Sequence, residues 1–459
     1  MRGVFARGRR KFLRNKRRKA VRFRFCDRCS IRVYHGATAA VPELVADAME
    51  EAVFYHARAV CGFGPDGDPG AGFETDPDAD TVVARGGRVI AVGPRAQMRR
   101  EHGVSSATQR LPGHVLLPGL VNAHTHLELT AVGPRPYGGD FVGWVDMLRE
   151  AGPAAAGAAA AGARAAAAAG VQAVGDIASD PAARVARVDA ALGGTTFVEL
   201  FGLGPPHDAA ALARVGESAD GFQPHAPYSA GPALFAAAAA SGRPVCTHLA
   251  ETRDEAQFVA CGTGPFRALL ERLGKWSPRF ADWYGAGASP VAWMAPHLRR
   301  CPWLLAHGNY LDDADIALLT ETGASIAYCP VASDYFGHRG HRYRELLEAG
   351  VNVCLGTDSV VCQPPDGDPS QWLSVLPQMR HLYQRDGFDP GQLLSMATAR
   401  GRRALGLGDA VTRLCAVPVE LDAGDDPLRA VLEGRGPGRA VHLDGPPRGD
   451  ERTHRPRGA

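Results

Sequence analysis

The sequence predicts an α/β protein: a (β/α)8 TIM-type barrel carrying a small β-sandwich domain built from both chain ends. Three observations predict it. Between Val115 and Asp358 eight short apolar runs alternate with helix-forming segments, the pattern of parallel strands joined by covering helices. Ionisable residues stand at the ends of several of those runs, where a barrel carries its chemistry. Short strand-like runs flank this block on both sides.

Taken in order, residues 1–48 form a basic arm expected to be disordered. Every charged residue before Asp27 is Arg or Lys, so the formal +2 of the whole chain hides a net acidic remainder. No nucleic-acid affinity is expected of that remainder; an RNA-associated role for the arm is the alternative. GRRKFLR resembles a twin-arginine export signal, but no apolar segment follows it, so export is rejected. EEAVFYHARAV begins directly after Met49 and reads as the first strand of a folded domain, which makes Met49 the expected true start. No run of 18 apolar residues occurs, so no membrane partner is expected. Ten cysteines lie scattered, several within apolar strands, as buried thiols of a reducing, cytoplasmic compartment do. Cys26 and Cys29 make one CxxC, and a structural zinc site needs a second pair.

Residues 49–113 supply the first part of the small domain. VFYHARAV, TVVAR and RVIAVG are its strands, with Gly86–Gly87 as a hairpin turn. The barrel is assigned to residues 114–408. Its strands are Val115–His126, Val171–Ala178, Thr195–Leu203, Phe222–Pro227, Pro244–Ala250, Trp303–Leu311, Ala324–Pro330 and Val351–Asp358. The alanine-rich segments Pro153–Ala169 and Ala233–Ala240 are expected to be covering helices, since alanine is the best helix former. Residues 409–446 return to the small domain through Cys415–Glu420 and Ala440–Leu443, and 447–459 are expected to be a disordered tail.

His124 and His126 end the first strand, and residues i and i+2 of an extended segment project to the same side. One HxH alone is a weak signal. Later strand ends strengthen it: His225 in QPHAPYS, His248 and Glu251 in THLAE, His307 in LLAHGNYL, and Asp358 in LGTDS. A single buried histidine is usually packing. Ionisable groups at five of eight strand ends resist that explanation, because each unpaired buried charge costs several kcal/mol.

PGLVNAHTHLEL, HAPYSA, THLAET, LLAHGNYLDDADIALL and GVNVCLGTDS resemble, in order, the strand-end motifs of the amidohydrolase superfamily. Within it the chain looks most like the metal-dependent deaminase and chlorohydrolase branch. The resemblance implies one divalent metal, Zn2+ or alternatively Fe2+, on His124, His126, His248 and Asp358. It implies Glu251 as the proton shuttle and Asp358 as a second proton acceptor. His307 orients the attacking water or polarises the substrate, and its membership of the ligand set stays open. His225 hydrogen-bonds the substrate. Two-metal members generally use a carboxylated lysine on strand four, and no lysine lies between Lys19 and Lys275, which argues for a single metal. Glu199 on strand three is assigned a structural salt bridge, with a substitute bridging ligand as the alternative.

The activity implied is hydrolysis of a carbon–nitrogen, non-peptide bond: deamination of an amino-substituted heterocycle, purine-like or nucleoside-like. A chlorohydrolase or cyclic amide hydrolase would use the same site, and a catalytically inactive barrel serving as a binding protein is the alternative of another class. Homodimers are usual in this branch. Phe141 and Trp144 are assigned ring-stacking contacts with substrate. Trp276, Trp283, Tyr284 and Trp293, in the long segment after strand five, either wall the pocket or pack that excursion onto the barrel. His338 and His341 of YFGHRGHR, where many heterocycle deaminases carry an SN-type motif, read as solvent-facing loop residues, with a pocket histidine as the alternative. Adenosine-type members often place a ribose-binding glutamate after strand one; Glu150 lies too near Trp144 for it. The resemblance therefore runs toward chlorohydrolase-like and aminodeoxyfutalosine deaminase-like proteins.

Overall fold

The structure, a computed structural model, describes residues 21–26, 29–33, 52–64, 78–103, 107–152, 155–204, 207–215, 220–408, 411–434 and 438–442. Two compact units form, Met1–Glu51 and Ala52–Ala459. In the first, Val21–Cys26 pairs antiparallel with Cys29–Val33, so the disorder expected of the arm does not extend to these strands. The rest of the arm, Met49 and the tail 447–459 lie outside the described residues. No helix among the described residues is long and apolar enough to cross a membrane.

In the second unit eight parallel strands form two four-stranded sheets. One runs through Leu120–Thr125, Val171–Ala178, Gly193–Leu200 and Gly221–Pro224. The other runs through Cys246–Leu249, Leu304–His307, Ser325–Tyr328 and Asn352–Leu355. Parallel bridges Phe222↔Val245 and Thr125↔Asp358 join the sheets at both seams. The result is a ring of eight parallel strands with helices following them, the arrangement of a (β/α)8 barrel. The alanine-rich stretches are helices at Ala158–Ala168 and Pro232–Ala240, whose buried Ala163, Ala166, Leu234 and Phe235 join the main core.

One expectation needs correction. The apolar run Val115–His126 is two strands, not one. Thr108–Pro118 belongs to a separate six-stranded sheet, and Leu120–Thr125 is the first barrel strand. The switch falls at Gly119, whose N–H bonds the Arg413 carbonyl while that of Leu120 bonds the Gly170 carbonyl. Val115, Leu116, Leu117, Leu120 and Val121 are all fully buried, so the apolar pattern runs unbroken across the change of sheet. The boundary set at residue 114 therefore shifts to Gly119.

That six-stranded sheet draws on both sides of the barrel segment: Val53–Val60, Thr81–Arg85, Arg88–Gly93 and Thr108–Pro118 before it, Arg413–Pro418 and Arg439–His442 after it. Gly86 and Gly87, both at positive φ, make the two-residue hairpin turn. Val82 and Ala84 from one half share an apolar cluster with Leu414 and Ala416 from the other. Among the described residues this part forms one sheet.

His56 is buried in this sheet with Nδ1 2.9 Å from Thr81 Oγ1. Burial, aided by Arg95 and Arg99, lowers its pKa from the usual 6.5 to about 4. Between those values the unfolded chain holds a proton that the folded chain does not, so stability falls as pH drops through that window. Melting temperature measured from pH 7 to 4 should show this loss, and His56→Gln should flatten it; an equal slope in the variant would remove His56 as the cause.

Candidate metal and active site

The barrel strands deliver their ionisable residues to one end of the ring. His124 lies within its strand and His126 one residue beyond it. His248 and His307 lie within the fifth and sixth strands. Asp358 follows the eighth by a short turn in which Gly356 passes close under strand one, where a Cβ would lie 2.8 Å from the His124 carbonyl oxygen. The Thr357 and Asp358 N–H groups both donate to that carbonyl, at 3.0 and 3.1 Å. Thr125 Oγ1 donates to the Asp358 carbonyl at 3.1 Å.

These placements bring potential ligand atoms of His124, His126 and His248 within 4.8 Å of one another, and likewise those of His124, His307 and Asp358. Asp358 Oδ1 lies 3.5 Å from His126 Nε2 and 3.7 Å from His124 Nε2. His124 Nε2 is wholly buried with no hydrogen-bond partner. An orphaned imidazole nitrogen facing a carboxylate and other imidazoles fits a divalent cation, and the N/O donor set suits zinc or iron. Desolvation is the first cause of every histidine shift here. It holds His124 and His307 well below the ordinary range, and takes His126 to about 3 and His248 to about 4 against the upward pull of Asp358. All four are therefore neutral at pH 7, the state in which an imidazole offers a lone pair.

Glu251 is buried with Oε1 3.6 Å from His307 Nε2. Burial, then the Asp358 and Glu255 carboxylates, push its pKa well above the usual carboxylate range. Its position is fixed by a residue not singled out from sequence. Glu255 accepts the Ala250 N–H on Oε1 at 2.9 Å and the Glu251 N–H on Oε2 at 2.8 Å. Asn309, also unremarked, donates Nδ2 to the Glu251 carbonyl at 3.0 Å. Asp176 was missed too; it accepts the Leu127 N–H at 3.1 Å and so anchors the turn after His126. Its visible signal was a lone acid inside the apolar VQAVGDIA; Glu255 had none, being one acid among the charges of a helix start.

His225 follows the fourth strand, Nδ1 2.6 Å from Ser229 Oγ and Nε2 3.8 Å from Glu199 Oε1. Burial raises the Glu199 pKa to about 8 and holds that of His225 well below its ordinary range, so at pH 7 the two meet uncharged and form no ion pair. The His225 and His248 rings are 4.9 Å apart, which joins His225 to the cluster. Phe141 is buried against Trp144, Phe266 and Phe336. Trp144 is partly exposed and donates Nε1 to Tyr335 Oη at 3.1 Å. The same aromatic cluster includes Tyr228, whose ring meets His225, and Cys362, whose thiol lies 3.5 Å from Asp358 Oδ2. It thereby borders the ionisable cluster.

Trp276, Trp283, Tyr284 and Trp293 pack among themselves and on Phe258 and Phe280, and Tyr284 Oη ties the excursion to the Pro227 carbonyl at 2.6 Å. Of the two readings offered for them, the structure favours packing. His338 and His341 are not solvent-facing: both are partly covered, His338 Nδ1 lies 2.9 Å from Tyr310 Oη, and His341 Nε2 lies 2.8 Å from the His307 carbonyl.

The chain is similar to several known proteins. A 5'-deoxyadenosine deaminase of Methanoregula boonei is 32% identical over 207 residues, covering 43% of this chain and 41% of that relative. The match thus spans less than half of that protein's length. An aminodeoxyfutalosine deaminase of Deinococcus radiodurans is 28% identical over 358 residues, 71% of this chain and 81% of that one. Among solved structures, an adenosine deaminase of Xanthomonas campestris with bound zinc superposes with a TM-score of 0.62 at 22% identity, covering 84% of this chain and 89% of that one. The model of the Amidohydrolase family matches residues 115–416, which hold every strand of the barrel and every ionisable residue of the site, and the chain belongs to that family.

Proposed function

We propose that the protein is a metal-dependent hydrolase that deaminates a purine-like heterocycle in nucleoside form. The observation that carries this reading is the convergence of His124, His126, His248, His307 and Asp358 beside the buried Glu251 carboxyl. The names of the sequence relatives, both deaminases, support the reaction and the substrate class. His124, His126, His248 and Asp358 would hold one divalent ion, and the zinc of the structural relative supports Zn2+ over Fe2+. Such an ion supplies Lewis acidity and lowers the pKa of water to about 7.

The chain's own groups do the rest. Glu251 accepts one proton from the attacking water and gives it to the ring nitrogen, a task suited to a carboxyl with high proton affinity. Asp358 takes the second, which returns through Glu251 to the departing ammonia. His307, 3.6 Å from Glu251, orients the water or polarises the reacting carbon. His225 hydrogen-bonds the heterocycle and stabilises charge as the tetrahedral centre forms. Trp144 offers a partly exposed ring for stacking, and Phe141 backs it from within the cluster. The same reading takes the six-stranded sheet as a small β domain that both ends of the chain contribute, one sheet in place of the expected sandwich.

Ammonia release by zinc-loaded protein, measured against aminopurines, adenosine derivatives and aminotriazines, tests the reaction. Release from an aminopurine nucleoside is expected. Chloride release or ring opening in its place would move the chemistry to another bond, and no bound metal with no turnover would leave a binding protein. With the substrate so found, Glu251→Gln should keep its metal and lose about 10²–10⁴ in kcat; loss of the metal would make Glu251 a ligand instead.

Asp358→Asn should lower both metal occupancy, by elemental analysis, and kcat. Chelation of the parent protein should abolish turnover and added zinc restore it. Full activity of the Asp358 variant would undo its placement in the site.

A further inference from the structure

His307 ends its strand at φ 74, in the left-handed region where a residue with a Cβ is strained. Gly308, at φ 66, continues the turn. Ladder pairing between the sixth and seventh strands stops at Ala306↔Ala327, so the His307 carbonyl leaves the sheet with no strand partner. It is met by one side chain from elsewhere in the chain: His341, with Nε2 2.8 Å away. A carbonyl only accepts, so Nε2 carries the proton and the ring is held in that tautomer. The His341 ring is itself held against Tyr328, the last residue of the seventh strand, at 3.7 Å between centroids and 20° between planes. Its Nδ1 is buried with no partner, so one bond fixes the imidazole by its polar edge and one stack fixes its face.

We propose that His341 is a positioning residue for His307: its N–H holds the His307 backbone in the left-handed conformation that aims the His307 imidazole at Glu251 and the metal ligands. Without that donor the His307 carbonyl is left unsatisfied in a buried turn. The least costly remedy is rotation of the peptide back toward an ordinary strand geometry, which swings the imidazole out of the cluster. The ring of His341 touches no reacting group, so its effect passes through His307 alone. The kinetic part of this inference rests on the deaminase reading; the structural part does not.

His341→Phe keeps a ring to stack on Tyr328 and removes the donor, and His341→Gln restores an N–H without the ring. A crystal structure of the zinc-loaded Phe variant should show His307 out of the left-handed region and farther than 3.6 Å from Glu251. A His307 that stays in place there overturns the proposal, whatever the substrate proves to be. With 5'-deoxyadenosine as probe, or the panel's best substrate if that one is inert, the Phe variant should lose at least about tenfold in kcat with KM and zinc content unchanged, and the Gln variant should recover part of it. Adding His341→Phe to His307→Gln should then cost little more. Independent, multiplying losses would show that His341 acts other than through His307 and would also overturn the proposal. If the Phe variant fails to fold, His341→Leu, which also lacks the donor, and its double mutant with His307→Gln decide by the same criteria.

Discussion

The seam between the first and last barrel strands is the constraint on which the site depends. The His124 carbonyl takes the N–H groups of Thr357 and Asp358, while Thr125 Oγ1 answers with a bond to the Asp358 carbonyl across a sequence separation of 233 residues. Asn122 locks the seam from below, donating to Thr357 Oγ1 at 2.7 Å and accepting the Thr357 N–H at 3.1 Å. Only a closed ring puts a carboxylate from the end of the barrel against two imidazoles from its beginning. An ion held by His124, His126 and Asp358 would stabilise the one state in which all three meet, so its binding would be coupled to closure.

Strain at the strand ends follows from the same demand. Four non-glycine residues take positive φ among the described residues, and three of them are Ala250, His307 and Asp358. Each such conformation costs about 1–3 kcal/mol and persists only where the surroundings over-determine it. Here each has its clamp: Glu255 on the Ala250 and Glu251 N–H groups, His341 on the His307 carbonyl, Thr125 on the Asp358 carbonyl.

The barrel and its ionisable residues were legible because each strand end writes a polar group into an apolar run, as in LLAHG and LGTDS. The break at Gly119 was not, since residues on both sides of it are equally buried and only hydrogen-bond partners change. The clamps were illegible for another reason. Glu255, Asn309 and His341 act on backbone atoms, and their sequence surroundings are those of helix starts and loops, where Glu, Asn and His are ordinary. His341 in particular was seen and set aside, because exposure of a loop histidine is the default and the Tyr328 face that covers it comes from another element.

One physical cause prepares both halves of the chemistry. Removal from water favours the uncharged form of any titratable group. Applied to His124, His126, His248 and His307, it strips protons and leaves lone pairs free at neutral pH. Applied to Glu251, and reinforced by Asp358 and Glu255, it makes a proton hard to lose. The aromatic packing of Tyr228, Phe141 and Phe336 borders this cluster, whose burial leaves imidazoles ready to bind and a carboxyl with high proton affinity. Admitting water to that cluster would reverse both shifts together.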